Sequence, residues 1–221
     1  MEESKFKVAI STYNRPNDFA LCYENLLRYV PREDIIIVGD NNPDYIECDY
    51  TFTDRVGIPR VKNKCIEIAM QTDAEHIFLI DDDTWPTHEE AFKKYIESPY
   101  GHLCYTFLPA YSKIHGHKLH GLGNGCCMYL HRSVIEKVGG FSTQFGLGKY
   151  EHVDLSRRIY NAGLIPYKFI DVQGSSDLWH CLDQEKGHKR SFSEQEMSHL
   201  LKQGKKYFLE KVASTDYVSY L

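Results

Sequence analysis

"IFLIDDDTWP", residues 77–86, carries the reading that decides the fold. With His76 in front, its apolar run is too short for a helix, so 76–80 reads as a buried strand. That strand runs straight into three acids, Asp81, Asp82 and Asp83. On an extended chain alternate side chains face the same way, which predicts Asp81 and Asp83 on one side and Asp82 on the other. Two carboxylates on one side of a strand end need a cation, or one of them must take up a proton. A hard divalent ion, Mn2+ or Mg2+, held by one or two carboxylates and completed by phosphates and water, suits that demand. The bland alternative is a solvated acidic turn.

Upstream, short strands alternate with helices. "KVAIS" (7–11) reads as a strand, and beyond Pro16 a helix over 17–30 puts Phe19, Cys22, Leu26 and Val30 on one face, with Asn17 or Asp18 as cap. "DIIIVG" (34–39) is a second buried strand and "YTFT" (50–53) a weaker one, followed by a helix over 59–72. Strands apolar on both faces and separated by helices imply a parallel sheet covered on each side. Ligands of such sheets bind beyond the carboxyl ends of the strands. Three polar clusters fall there: "STYNR" (11–15), "GDNNPD" (39–44) and "DDD" (81–83).

Downstream the pattern is mixed. Strands are predicted over 102–108, 125–130 and 164–172, and helices over 132–138, 150–163 and 193–212. The chain has 221 residues, 42% hydrophobic and 13% aromatic, enough for a substantial core. A net charge of -5 excludes a general basic field for nucleic-acid phosphates. No segment reaches the ~18 uncharged apolar residues of a membrane span, and the start lacks a signal-peptide pattern. The expectation is no membrane insertion and a cytoplasmic location. The seven cysteines are odd in number without a CxxC pair, so they read as reduced, mostly buried thiols, Cys126 and Cys127 included.

A carboxylate-held cation at a parallel strand end, beside two other polar strand ends, is what a nucleoside diphosphate requires. In this order the motifs resemble the GT-A glycosyltransferases, in particular the nucleotide-sugar half of the family 2 and family 27 type enzymes. "STYNRP" is similar to their first-strand motif, "IIIVGDNNPD" to "hhVDDGSxD" with Gly39 replacing the first acid, "PRVKNKCIEIA" to the "xxARNxG" helix, and "IFLIDDDTWP" to the DxD motif. The stretch from Gly123 to Gly163 resembles the acceptor side, where "GGF" precedes an "EDxDLxxR" helix. The resemblance covers about residues 6–181.

The resemblance implies an α/β fold of GT-A type: a Rossmann-like α/β/α sandwich with a mostly parallel central sheet and a mixed acceptor-side half. One domain over 1–221 would comprise a nucleotide-binding half (about 1–100), an acceptor half (about 101–190) and a C-terminal helix (about 191–221). By the same resemblance Tyr13 and Asp40 contact the base, Arg60 the phosphates and Asp81 the ribose or sugar. Ser11, Arg15, Asn63 and Asp82 complete the nucleotide-sugar site. Asp83 holds the metal, with Asp81 and a late histidine, His180, as further ligands. Trp179 and Asn124 lie on the acceptor side. The implied activity is sugar transfer from a UDP-linked donor to a hydroxyl on a glycan or protein, with a hydroxylated base of phage DNA as an alternative acceptor. A small soluble bacterial or viral enzyme, without stem or anchor, is the expected type; a viral one would work in the host cytoplasm.

The chain departs from the family where many inverting members carry Glu-Asp, for here Glu151 precedes His152. Imidazole titrates near neutrality and can take a hydroxyl proton, as can a carboxylate. His152 is preferred as base, with Glu151 and Asp154 positioning acceptor or sugar; acids that complement a helix dipole are the plainer account. The departure also leaves open a catalytically silent nucleotide-sugar-binding module. A nucleotidyltransferase is disfavoured because "STYNRPND" has no glycine for a phosphate loop. His115, His117 and His120 read as a mobile loop over the sugar site rather than a second metal site. "KGHKR" (186–190) and Arg157-Arg158 read as surface charge rather than an anionic-acceptor contact.

Overall fold

A computed structural model describes residues 5–41, 46–185, 187–188 and 192–221. Asn42, Pro43 and Asp44 of the second polar cluster, and Lys186, Lys189 and Arg190 of "KGHKR", lie outside the described residues. The first half alternates as expected: β1 (Phe6–Thr12), α1 (Pro16–Leu26), β2 (Ile35–Asp40), β3 (Tyr50–Phe52), α2 (Ile58–Met70) and β4 (His76–Asp81). Next come β5 (Thr84–Pro86), α3 (Glu90–Ile96), β6 (His102–Cys104), β7 (Ala110–Ile114), β8 (His117–His120), β9 (Cys127–His131) and α4 (Arg132–Val138). The chain closes with α5 (Glu151–Asn161), β10 (Ile170–Val172), β11 (Trp179–Cys181) and α6 (Glu194–Lys211).

Among the described residues the central sheet has the order β3-β2-β1-β4-β9-β6. The pairs β1–β2, β1–β4 and β2–β3 are parallel, whereas β9 runs antiparallel to both β4 and β6. Alternation along the strands divides the core. Val8, Ile10, Ile35, Ile37, Phe78 and Ile80 pack toward α1, α3 and the aromatic residues around Trp179. Ala9, Ile36, Val38, Ile77 and Leu79 pack toward α2, α4 and α5. Covering on both faces is why the sequence runs of these strands are uninterruptedly apolar.

Several boundaries differ from the sequence reading. Arg15, rather than Asn17 or Asp18, is the N-cap of α1, because the fixed φ of Pro16 suits the first helical position. The strand predicted over 164–172 survives only as β10. The histidine segment is a hairpin, not a loop: β7 and β8 pair through a turn at His115 and Gly116, both at positive φ, and β10 adds a third strand. His117 is fixed there by Ser98, 2.9 Å from its Nε2.

The C-terminal segment is tied to the body. Ser193 and Glu196 form a capping box at the start of α6. Beyond that helix Val218 exchanges backbone hydrogen bonds with Val138 and Gly140. No helix among the described residues is long and apolar enough to cross a membrane.

Candidate functional site

In the order β2-β1-β4, the neighbours of β1 lie to either side of it, so the crevice between the carboxyl ends of β1 and β4 is the topological switch point where ligands of such sheets bind. Ser11 pairs in register with Asp81 at that edge. The three acids are not on one extended strand, however. β4 ends at Asp81, Asp82 and Asp83 form a turn, and β5 restarts at Thr84. The alternation expected for Asp81 and Asp83 therefore does not apply, and two cations of the chain itself neutralise the group. Arg15 spans Asp82 and Asp83, with Nη1 donating to Asp83 Oδ2 at 2.7 Å and Nη2 to Asp82. Lys62 Nζ lies 2.9 Å from Asp81 Oδ1. Burial still pushes Asp82 up to about 7 against the opposing pull of Arg15, with Asp83 adding to the rise. The arrangement sits close to the point at which one acid holds a proton.

One group of described side chains can take an ion: Asp83, Asp183 and His188 place one ligand atom each within 4.8 Å of one another. His188 Nε2 is buried without a hydrogen-bond partner, 3.6 Å from Asp18 Oδ2. Two carboxylates and an imidazole fit a divalent ion, and the nitrogen favours manganese over magnesium. His180 is not in that group. Its Nε2 is 3.0 Å from Glu185 Oε1, and its ring lies against Trp85 at 4.6 Å. Asp183 lies in a 3-10 turn after β11, Leu182–Gln184, which no sequence motif marks.

An open cleft adjoins the acids. Its lining includes Ser11, Tyr13, Arg15, Asp40, Asp81 and Asp82, all expected on the nucleotide side. Arg55 and Phe192 line it too, and neither was foreseen. The Arg55 guanidinium sits 4.2 Å over the Tyr13 ring and 4.9 Å over Phe192. Asp40 accepts from the amides of Val56 and Gly57, at 2.6 and 2.9 Å, and so fixes the loop that presents Arg55. Gly57, at φ 89°, leaves no room for a Cβ against Gly146 and Leu147. Arg60 is exposed on α2 and Asn63 is buried, its amide tied at both ends to the backbone of Phe141. Neither is part of the cleft lining.

On the acceptor side, Lys62 Nζ also donates to Gly125 O at 2.6 Å, and a Cβ on Gly125 would press on the His152 ring. Asp81, Lys62, Gly125 and His152 are thus consecutive neighbours. Glu151 Oε1 lies 3.1 Å from His152 Nδ1, and its Oε2 is buried without a partner. Burial opposes ionisation of Glu151, yet His152, Lys62 and Lys149 outweigh it and hold the carboxyl at about 2. An ionised Glu151 can only accept, so Nδ1 of His152 carries the shared proton. Asn124 accepts from Thr106 Oγ1 at 2.5 Å.

Two expected acceptor contacts have structural partners instead. Asp154 binds Arg158 Nε at 2.9 Å, and Arg158 is buried with further bonds to Val138 O and Gly140 O, so this pair pins the glycine turn. Arg158 is therefore not surface charge. Trp179 is 2% exposed and its ring neighbours are Phe78, Phe92, Tyr95 and Tyr105. Strand alternation puts His180 outward and Trp179 into the core. Trp179→Ala is accordingly expected to cost about 3–5 kcal/mol of stability in urea denaturation. A stable variant with a weakened acceptor KM is the opposite result.

No protein-family model matches the chain, and no curated protein matches it in sequence. Solved structures do. A mannosyltransferase from Pyrobaculum calidifontis, solved with GDP-Man and Mn2+, is 16% identical over 93% of this chain, with a TM-score of 0.66; the chain spans 64% of its length. A Drosophila β1,4-galactosyltransferase 7 variant, solved with manganese, UDP-Gal and xylobiose, is 18% identical over 89% of this chain and 79% of its own, with a TM-score of 0.53. GalNAc-T7, solved with UDP, GalNAc and Mn2+, is 11% identical over 92% of this chain and 50% of its own, at a TM-score of 0.61. Likeness at these identities shows the fold, which is the GT-A type that the motifs resemble.

Proposed function

We propose that this chain is a metal-dependent glycosyltransferase that moves a sugar from a nucleotide-sugar donor, UDP-linked by preference, to a hydroxyl on a glycan or protein. The observation that carries the reading is the set of three acids at the β1–β4 switch point, beside a cleft lined by tyrosine and arginine. Asp83, Asp183 and His188 hold the divalent ion, Mn2+ or Mg2+, with manganese the better fit to an imidazole donor. When bound, that ion supplies charge neutralisation to the departing diphosphate.

The chain's own residues do the rest. Tyr13, braced by Arg55, offers a face for the base, and the two guanidinium groups of Arg15 and Arg55 offer phosphate donors. Lys62 holds Asp81 at the point where the ribose or sugar is expected. His152 takes the acceptor hydroxyl's proton at Nε2, while Glu151 fixes its tautomer through Nδ1.

The test is a donor screen that includes UDP- and GDP-sugars with manganese, reading nucleotide release with and without a chelator. Chelator-sensitive release from at least one donor is expected. If no donor is turned over, even by slow hydrolysis, and none binds, the reading fails. Binding without turnover would leave a silent sugar-nucleotide module.

A further inference from the structure

Arg15 holds a position that serves two incompatible purposes. It is the cation that neutralises Asp82 and Asp83, and it also lines the cleft beside them. Both Asp83 oxygens are engaged, Oδ2 by Arg15 and Oδ1 by Thr84 Oγ1 at 3.3 Å. A divalent ion at Asp83, Asp183 and His188 therefore meets a guanidinium already bonded to its first ligand. The guanidinium is also incompletely satisfied. Its Nε is buried with no hydrogen-bond partner, although Nη1 and Nη2 are both used. A bidentate phosphate contact, which takes two adjacent guanidinium N–H groups, would use that orphan donor. A third carboxylate is within reach as well, for Asp18 Oδ2 lies 3.8 Å from Nη1 and 3.6 Å from His188 Nε2.

From this geometry, and resting on the metal and donor reading above, we infer that Arg15 is an exchangeable counter-ion: it holds the aspartates while the divalent ion is away and turns to the donor's diphosphate when the ion binds. Three features support this role. The acids are too crowded and buried to stand without a cation, and the ion and the guanidinium are like charges at one carboxylate. The diphosphate brings the anionic partner that Arg15 needs on leaving. Metal and diphosphate uptake are then coupled through a single side chain, and the ion alone binds weakly because it must displace Arg15. Asp18 receives Nη1 as it moves and holds the guanidinium near the cleft.

The coupling is measurable without turnover. Manganese binding to the full chain is titrated by the paramagnetic signal of the free ion, alone and with UDP or GDP, for the natural protein, Arg15→Gln, Arg15→Lys and Asp83→Asn. In the natural protein, nucleotide is expected to tighten manganese binding about tenfold or more. Arg15→Gln is expected to bind manganese alone about tenfold tighter than the natural protein, and to lose that same factor from the nucleotide effect, as linkage demands. Arg15→Lys keeps the charge but not the fork, so it carries the same expectation at smaller size and serves if the glutamine variant does not fold. Manganese affinity no tighter in either folded variant overturns the role of Arg15. If the natural protein takes up no manganese even with nucleotide, the metal reading itself falls. If Asp83→Asn abolishes uptake while the Arg15 variants do not tighten it, only the exchange is lost.

Discussion

Asp83→Asn is expected to abolish manganese-dependent nucleotide binding and to lower sugar transfer by about 10³-fold or more, the scale of several kcal/mol of charge stabilisation at a leaving group. The loss should not come from unfolding. Burial raises the pKa of Asp83, Arg15 opposes the rise and Asp81 adds to it, so the net cost of ionising this carboxyl in the fold is positive. An amide of the same shape removes that cost and relieves repulsion from Asp81. Arg15 keeps Asp82 as a partner. The thermal midpoint of the variant is therefore expected to equal or exceed that of the natural protein, while the midpoint shift induced by manganese with UDP or GDP disappears. Activity within tenfold of the natural protein, or a manganese shift that survives, would remove Asp83 from the ion site and with it the main support for a metal-dependent reaction.

The contrast between Asp83 and its neighbours Asp183 and His188 marks what a sequence can specify. The strands under the site were legible because burial on both faces leaves runs such as "IIIV" and "IFLI" with no polar interruption, and their polar ends located the crevice. The acids were legible for the same reason, since they follow a buried strand. Their geometry was not, because a turn at Asp82 and Asp83 replaces the extended chain on which alternation depends. Side chains that distant segments bring to Asp83 were harder still. Distance along the chain points to His180, whereas the path after Cys181 also brings Asp183 and His188 to Asp83. Arg55 sits in a loop whose placement rests on Asp40, a tertiary contact without a local pattern. Period 3.6 separates the buried face of α2 from its exposed one: Val61, Lys62 and Cys65 are buried, and Arg60 is not.

His152→Ala is expected to reduce transfer by about 10²–10⁴-fold with little change in donor KM, the range for loss of a positioned general base. The competing assignment gives the proton to Glu151. Glu151 is buried, ionised and held at about 2 by His152, Lys62 and Lys149, against the effect of its burial. The lysines Lys62 and Lys149 favour its ionised form, which disfavours uptake of a proton there. Its Oε1 is turned to His152 Nδ1, which is where an orienting group belongs when Nε2 does the chemistry. Glu151→Gln preserves the shape and a hydrogen bond but not the charge that fixes the tautomer, so its loss should be smaller, about 10–100-fold. Removing both side chains should cost little more than removing His152 alone, because residues that act as one unit are not additive. If Glu151→Gln matched or exceeded His152→Ala while the alanine variant retained most of its transfer rate, Glu151 would be the base and His152 its support.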